Sequence, residues 1–383
     1  MSYENAAGQY AYMENIVELY DRLQDELSKE IFWARLKCDT TISVNNALNL
    51  FALTGMLTSE EIFRQKSWRT EFESLNQQNK KILFYGCNVG KAIAELILND
   101  GQDFYGFCDR NADKFKMGIL GKPVVHPDFL LKNKEQFYVI ISTMDYYSEI
   151  YKFLLENKFP EDHILPYFCK KGVSFSTLIE KQYFDFPQLY RKNTAFVDGG
   201  CFNGDTTLRF ANWCNGEYSK IIAFEPDIQN YQRCNAIIKG QQIKRIELHQ
   251  AGLSNVTGTS SFVANANSGS FFVDTGAYGI DLSAIGHGPG KVEQVQTIAL
   301  DDISYDTEIG FIKLDVEGEE FHALQGAEKT IRRDKPLLAI SVYHRRGDML
   351  AIMDFLHALI PEYRFWLRHY CATWAETVLY ASL

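Results

Sequence analysis

Apolar residues recur at helical spacing near the start of the chain. Ile16, Leu19, Tyr20, Leu23, Leu27, Ile31 and Leu36 fall on one stripe, and residues 9–79 contain no strand alternation. Ser43 and Asn45 precede a second periodic segment, Ala47 to Leu53, and Thr58 with Glu61 has the spacing of a capping box opening a third helix. Residues 1–79 therefore read as a helical leader. Its apolar stripes are expected to bury against the next domain or, in a homodimer, against a second copy of the chain.

The period changes at Lys80. KILFYG predicts a strand, VGKAIAELILNDG a helix ended by Gly101, and FYGFCD a second strand, which closes a β-α-β unit. YVIIST and a helix around Tyr146 to Glu156 continue the alternation, giving a small Rossmann-like α/β domain over 80–168. Residues 169–193, mixed in polarity and with one proline, read as a connector.

Alternation resumes over 194–383: strand AFVDGG, a helix from Gly204, strand IIAFEP, a helix over 228–239, strand IELHQAGL. A Gly/Ser/Asn-rich stretch over 258–290 interrupts it. VEQVQTIALDDI, strand FIKLDV, a helix from Glu319 to Arg332, strand LLAISVYH, a helix over 348–359, and strands YRFWLRH and TVLYASL follow.

Composition narrows the function classes. The 383 residues are 46% hydrophobic and 23% charged, which suits globular domains and excludes global disorder. The net charge of −10 without like-charged blocks disfavours a nucleic-acid partner. The eight cysteines contain no C-x-x-C pair and no zinc-site spacing, so they read as reduced, mostly buried thiols. The first 21 residues lack a basic n-region and an apolar h-region, and the longest apolar runs are strand-sized; a cytoplasmic protein without a membrane span is expected. The 27 Phe and 21 Tyr suit either thick cores or ring-stacking surfaces.

Two glycine turns follow strands. In FYGCNVGKAIAEL, Gly86 and Gly90 fit a tight turn, and Asp109 lies 23 residues beyond Gly86, where an acid could bind a ribose. Asn88 and Lys91 occupy the other two glycine positions of a dinucleotide fingerprint, which disfavours an NAD-dependent oxidoreductase. The turn reads first as part of a Rossmann-like module that binds no dinucleotide; if the domain takes a ligand, a nucleotide or sugar nucleotide is the best class.

The second turn, VDGGCFNGDTT, places Asp198 at a strand end before Gly199, Gly200 and Gly204, with Thr206 in the helix start. An acid here repels a pyrophosphate but suits the ammonium of S-adenosylmethionine, whose carboxylate would meet helix N–H groups. Glu225, 21 residues after Gly204 and followed by Pro226, is placed to accept hydrogen bonds from ribose hydroxyls. Together with IAFEPD, AGLSN, IKLDVEGEEFHALQGA and LLAISVYH, this segment resembles the FkbM-type methyltransferases over about 195–383. The resemblance implies a class I methyltransferase fold, a seven-stranded sheet with an antiparallel last strand. It further implies methylation of hydroxyl groups, often on macrolide or polysaccharide sugars, as in polysaccharide biosynthesis. It places AGLSN, with Leu253 and Ser254, beside the adenine.

Open parallel sheets bind ligands at their carboxyl strand ends, which brings IKLDVEGEE and SVYHRRGD to the cleft. Asp315, Glu317 and His344 are the candidate catalytic residues, able to orient an acceptor hydroxyl and take its proton. In a rival reading the same three hold a divalent cation, although no dense ligand cluster is evident. Lys313 reads as a surface ion pair or a site residue, and Arg345 with Arg346 as a solvated face or an anion reader. The 258–290 stretch, with Phe271, Phe272 and Tyr278, is expected to act as an acceptor lid. The resulting expectation is an S-adenosylmethionine-dependent O-methyltransferase acting on a hydroxyl of a sugar, glycan or glycosylated precursor, with a small-molecule or glycan acceptor. An N- or carboxyl-methyltransferase and a noncatalytic cofactor-binding module are the alternatives.

Overall fold

The computed structural model describes residues 15–112, 116–143, 146–168, 175–264, 271–272 and 291–383. The chain divides into two compact units, Trp33–Ile179 with His369–Ala375, and Met1–Phe32 with Glu180–Arg368 and Glu376–Leu383.

In the first unit, helices Val44–Ala52, Ser59–Lys66 and Trp68–Gln77 precede the sheet. Ser43 caps the first of them, and the capping box of Thr58 and Glu61 forms in both directions. Strands β1 (Lys81–Tyr85), β2 (Gly106–Cys108), β3 (Val124–Val125), β4 (Phe137–Ile141) and β5 (Ile164–Leu165) lie in the order β3-β2-β1-β4-β5, every pair parallel. The Rossmann-like module is thus present. Its boundaries differ from the sequence reading: Val44, Leu48, Phe51, Trp68 and Phe72 are buried in one core with Ile82, Phe84 and Ile140. The later leader helices are therefore one layer of this domain, because their apolar stripes cover its sheet.

The second unit carries β6 (Ala195–Gly199), β7 (Lys220–Phe224), β8 (Ile246–His249), β9 (Gly252–Leu253), β10 (Gly258–Ala264), β11 (Phe271–Phe272), β12 (Lys291–Ile298), β13 (Ile309–Leu314), β14 (Leu337–Ser341), β15 (Arg364–His369) and β16 (Thr377–Ser382). Seven of these form a sheet in the order β15-β16-β14-β13-β6-β7-β8. From β8 to β14 the pairs are parallel, and β16 lies antiparallel to β14. This is the class I methyltransferase fold. All residues of β6, β13, β14 and β16 are buried, as expected for strands covered on both faces. Much of the aromatic content is core: Phe196 stacks on Phe210 at 3.9 Å, with Phe184, Trp213 and Phe311 around them.

Three sequence expectations change. IELHQAGL is two strands, because β9 leaves the main sheet and pairs with β12 in a four-stranded sheet ordered β11-β10-β12-β9. The 258–290 stretch opens as a strand, since β10 pairs antiparallel with β12 from Gly258 to Ala264; Tyr278 and most of the expected lid lie outside the described residues. The helix expected over 319–332 is two, Glu320–Gln325 and Glu328–Asp334. At Gly326, where the first ends, a Cβ would lie 2.0 Å from the Ser254 carbonyl oxygen. Six of the seven described cysteines are buried. No helix among the described residues is long and apolar enough to cross a membrane.

Candidate functional site

Strand β6 ends at Gly199, and the chain turns through Gly200 (φ +73) and Gly204 (φ +89) into helix Asp205–Trp213. These torsions lie in the left-handed region that favours glycine. Gly200 also has no room for a side chain, since a Cβ there would lie 1.9 Å from the Asp315 carbonyl oxygen. The turn is held from beneath by Lys313, which is fully buried and donates to the carbonyls of Gly199 (2.9 Å) and Gly200 (2.7 Å). Its ammonium also lies 3.1 Å from Asp198 Oδ1, an ion pair without hydrogen-bond alignment. Burial alone would drive the proton off Lys313, but Asp198 and Asp315 outweigh it and raise its pKa. The surface ion pair considered for Lys313 is therefore wrong: both faces of this strand are covered, and Lys313 is buried with the rest of it.

Asp198 is likewise fully buried, and its Oδ2 accepts the Thr207 hydroxyl at 2.7 Å. Sequence reasoning chose Thr206, whose side chain is half-buried; the partner of Asp198 is Thr207, one residue on. Glu225, buried just past β7, accepts from the backbone N–H groups of Phe202 (3.0 Å) and Asp227 (2.9 Å). Burial pushes its carboxyl up to about 7 against these two donors. Pro226 beside it is half-buried. Leu253 is buried against the same turn, where its Cδ1 would lie 3.0 Å from a Cβ on Gly199, and Ser254 follows it.

At the ends of β13 and β14 the side chains of Asp315, Glu317 and His344 converge. His344 Nε2 stands 3.6 Å from Asp315 Oδ1 and 3.5 Å from Glu317 Oε2. Its Nδ1–H donates to Glu320 Oε1 at 2.9 Å. Glu320 is fully buried and also accepts from the N–H groups of Val316 and Gly318, so it braces the turn in which Glu317 takes φ +56. Asp315 Oδ2 accepts the Tyr183 hydroxyl at 2.7 Å, and Tyr343 bridges Asp315 and Glu376 at 3.4 and 3.3 Å.

The electrostatics separate the acids. Burial would raise Asp315, but His344 and Lys313 outweigh it and hold its carboxyl below the usual range. Glu317 has no such surplus of cations, and burial beside Asp315 and Glu320 pushes it up to about 8 despite His344. Glu376 is driven up to about 7, chiefly by burial. Burial alone would lower His344, yet Glu320 and Glu317 raise it well above an ordinary histidine. Of these groups Tyr183, Glu320, Tyr343 and Glu376 escaped the sequence reading. Glu320 lies inside the quoted EGEE run, whereas Tyr183 and Glu376 carry no local signal.

Residues 198–368 match the family described as Methyltransferase FkbM domain. Over those residues the chain is similar to a methyltransferase FkbM domain. No curated protein matches the chain. Among solved structures, the chain is similar to methyltransferase FkbM from Methylobacillus flagellatus KT, at 16% identity and TM-score 0.47, over 84% of this chain and 98% of that one. It is also similar to SMU.1697c from Streptococcus mutans, solved in complex with SAH, at 15% identity and TM-score 0.33, over 55% and 99%. Fibrillarin from Aeropyrum pernix, with natively bound S-adenosyl-L-methionine, aligns at 8% identity and TM-score 0.30, over 50% and 67%.

Within the FkbM domain, Arg345 is engaged by Glu319 at 3.1 Å, while Arg346 is exposed. The other glycine turn, outside the FkbM domain, is used for packing. A Cβ on Gly90 would lie 2.6 Å from Ser142 Oγ and one on Gly86 3.0 Å from Ser142 O. Ser142 Oγ donates to the Gly86 carbonyl at 2.7 Å, and Asp109 Oδ1 accepts from the N–H of Asn111 at 2.8 Å. Gly86 and Gly90 thus let the helix Cys87–Asn99 close onto β4, as the missing fingerprint glycines suggested.

Proposed function

We propose that the FkbM domain makes this chain an S-adenosylmethionine-dependent O-methyltransferase, acting on a hydroxyl of a sugar, glycan or glycosylated precursor. The observation that carries this reading is the backbone contact of Gly200 with Asp315. It joins the glycine turn that would hold the cofactor to the acidic cluster that would receive the acceptor.

The residues fit the cofactor. Helix Asp205–Trp213 starts at Gly204, which has no side chain to cap it, and Asn203 Oδ1 takes the Asp205 N–H, which leaves the later first-turn N–H groups for a carboxylate. Each Glu225 oxygen accepts one backbone N–H and keeps a lone pair for a ribose hydroxyl. Gly199, Gly200, Thr206, Pro226, Leu253 and Ser254 surround that space, and Asp198 acts on it from below through Lys313 and Thr207. When bound, S-adenosylmethionine supplies a methyl carbon on cationic sulfur, which an oxygen takes in line while the carbon–sulfur pair stays with sulfur.

The chain's own part is placement. Asp315, oriented by Tyr183, and Glu317 accept hydrogen bonds from the acceptor hydroxyl, draw its proton away from the oxygen and favour a neutral polyol over an anion. An amine acceptor is the second reading, because the same acids attract an ammonium. Calorimetry with S-adenosylmethionine tests the cofactor, and labelled methyl transfer to sugar nucleotides, glycans and amines tests the acceptor. Glu225→Ala binding S-adenosylmethionine as tightly as the parent would contradict the cofactor assignment.

A further inference from the structure

His344 is 8% exposed, and its Nε2 makes no hydrogen bond. Its other nitrogen is committed, because Nδ1–H donates to Glu320. Glu320 is held in turn: Oε1 accepts from Val316 and His344, and Oε2 from Gly318. That pairing fixes the ring so that Nε2 faces Asp315 Oδ1 and Glu317 Oε2. A nitrogen lone pair directed at two carboxylates is repelled by both, so this face holds a positive charge, either a proton on Nε2 or a metal ion between the three atoms. The nearby Lys313 ammonium is committed to Asp198, Gly199 and Gly200.

The spacing suits a metal ion better than a proton. At 3.5 and 3.6 Å the oxygens stand beyond an ordinary N–H···O bond. An ion about 2.1 Å from each ligand atom would see nitrogen and oxygen about 115° apart, near the tetrahedral angle. Asp315, Glu320 and His344 also have donor atoms within 4.8 Å of one another, a group that contains two of these three residues together with the carboxylate behind the imidazole, and not Glu317. The side chains of Asp315 and Glu317 are 25% and 30% exposed, so the fourth position has an open side.

We propose that His344 Nε2, Asp315 Oδ1 and Glu317 Oε2 form a binding site for a first-row divalent cation of the zinc or manganese type. Glu320 is the positioning residue that holds the imidazole, as carboxylates do behind metal-binding histidines. The open position faces the acceptor, so the ion would hold its hydroxyl and the proton would leave to solvent. The inference rests on the functional reading above for where the acceptor enters, and it makes the carboxylates ligands instead of the hydroxyl's direct partners.

The test is titration of the EDTA-stripped full chain with Zn²⁺ alone by calorimetry, and with Mn²⁺ by electron paramagnetic resonance, without cofactor. One equivalent is expected to bind. His344→Gln and Glu317→Gln should each weaken it at least ~100-fold, and Glu320→Gln by ~10–100-fold. Glu317 lies at the open edge, so Glu317→Gln keeps the test informative should His344→Gln fail to fold. S-adenosylmethionine affinity is expected to stay within about twofold in Glu317→Gln. A parent that binds neither ion, or variants that bind as the parent does, overturns the site. Methyl transfer that proceeds unchanged in EDTA also overturns it while leaving the transferase reading intact; loss of S-adenosylmethionine binding by the parent refutes that reading separately.

Discussion

Replacing Lys313 by Met keeps most of the side-chain volume and removes the charge beneath the glycine turn. The structure fixes what is lost: hydrogen bonds to Gly199 and Gly200 at 2.9 and 2.7 Å, and an ion-pair partner 3.1 Å from Asp198, in a place with no water access. Breaking a buried pair on one side costs about 3–5 kcal/mol, mostly because the surviving charge is stranded. Each carbonyl left without a donor adds up to about 1 kcal/mol, not additively. Lys313→Met is therefore expected to destabilise the FkbM domain by about 4 kcal/mol in urea unfolding followed by circular dichroism, with an unchanged m-value. The added change Asp198→Asn removes the stranded anion and should recover about 1–2 kcal/mol. A loss below about 1 kcal/mol for Lys313→Met, or a double variant whose loss is the sum of the two singles, would refute the buried-strap argument.

Gly200→Ala faces both a φ of +73 and a Cβ 1.9 Å from the Asp315 carbonyl; a loss of about 2–5 kcal/mol and weaker S-adenosylmethionine binding are expected, checked by urea midpoint and calorimetry. Glu225 has its folded pKa raised to about 7 by burial, so the native state keeps a proton that the unfolded chain releases from about pH 4.5 upward. Its contribution is present below that value, is lost as pH rises to about 7 and is level above; Glu225→Gln should flatten this fall of up to ~3 kcal/mol, and parallel stability profiles for parent and variant from pH 4.5 to 8 would count against it. Tyr183→Phe deletes the 2.7 Å bond to Asp315; methyl transfer should fall while S-adenosylmethionine affinity holds, with a stability cost of about 1.5–3 kcal/mol, and unaltered transfer kinetics would remove Tyr183 from the acceptor site.

What could be read from the sequence was local. Strand-turn-helix punctuation around Gly200 and Gly204, the capping box at Thr58 and the helix over 348–359 depend on neighbours a few residues apart, and they appear as expected. The same reading brought Asp315, Glu317 and His344 to adjoining strand ends. It missed what depends on long-range packing. Lys313 was misplaced because a lone charge in an apolar strand says nothing of a buried partner 115 residues earlier. Tyr183 and Glu376 reach Asp315 and Tyr343 from segments with no motif of their own. The leader was set apart because helical periodicity shows that a face is buried without showing what covers it.

The contact between Gly200 and Asp315 has a practical corollary for redesign. Because the two loops touch through backbone, residues 313–316 cannot be exchanged to admit a new acceptor without disturbing the floor under the nucleoside. Tyr183 and Glu376 reach the same cluster from other parts of the chain, Glu376 through Tyr343 and Tyr183 through Asp315, but the Lys313 ammonium of that floor also lies 5.2 Å over the Tyr183 ring. Libraries aimed at acceptor choice should therefore vary position 376, keep an aromatic ring at 183 and leave the IKLDV strand untouched, so that selectivity can drift while cofactor loading is preserved.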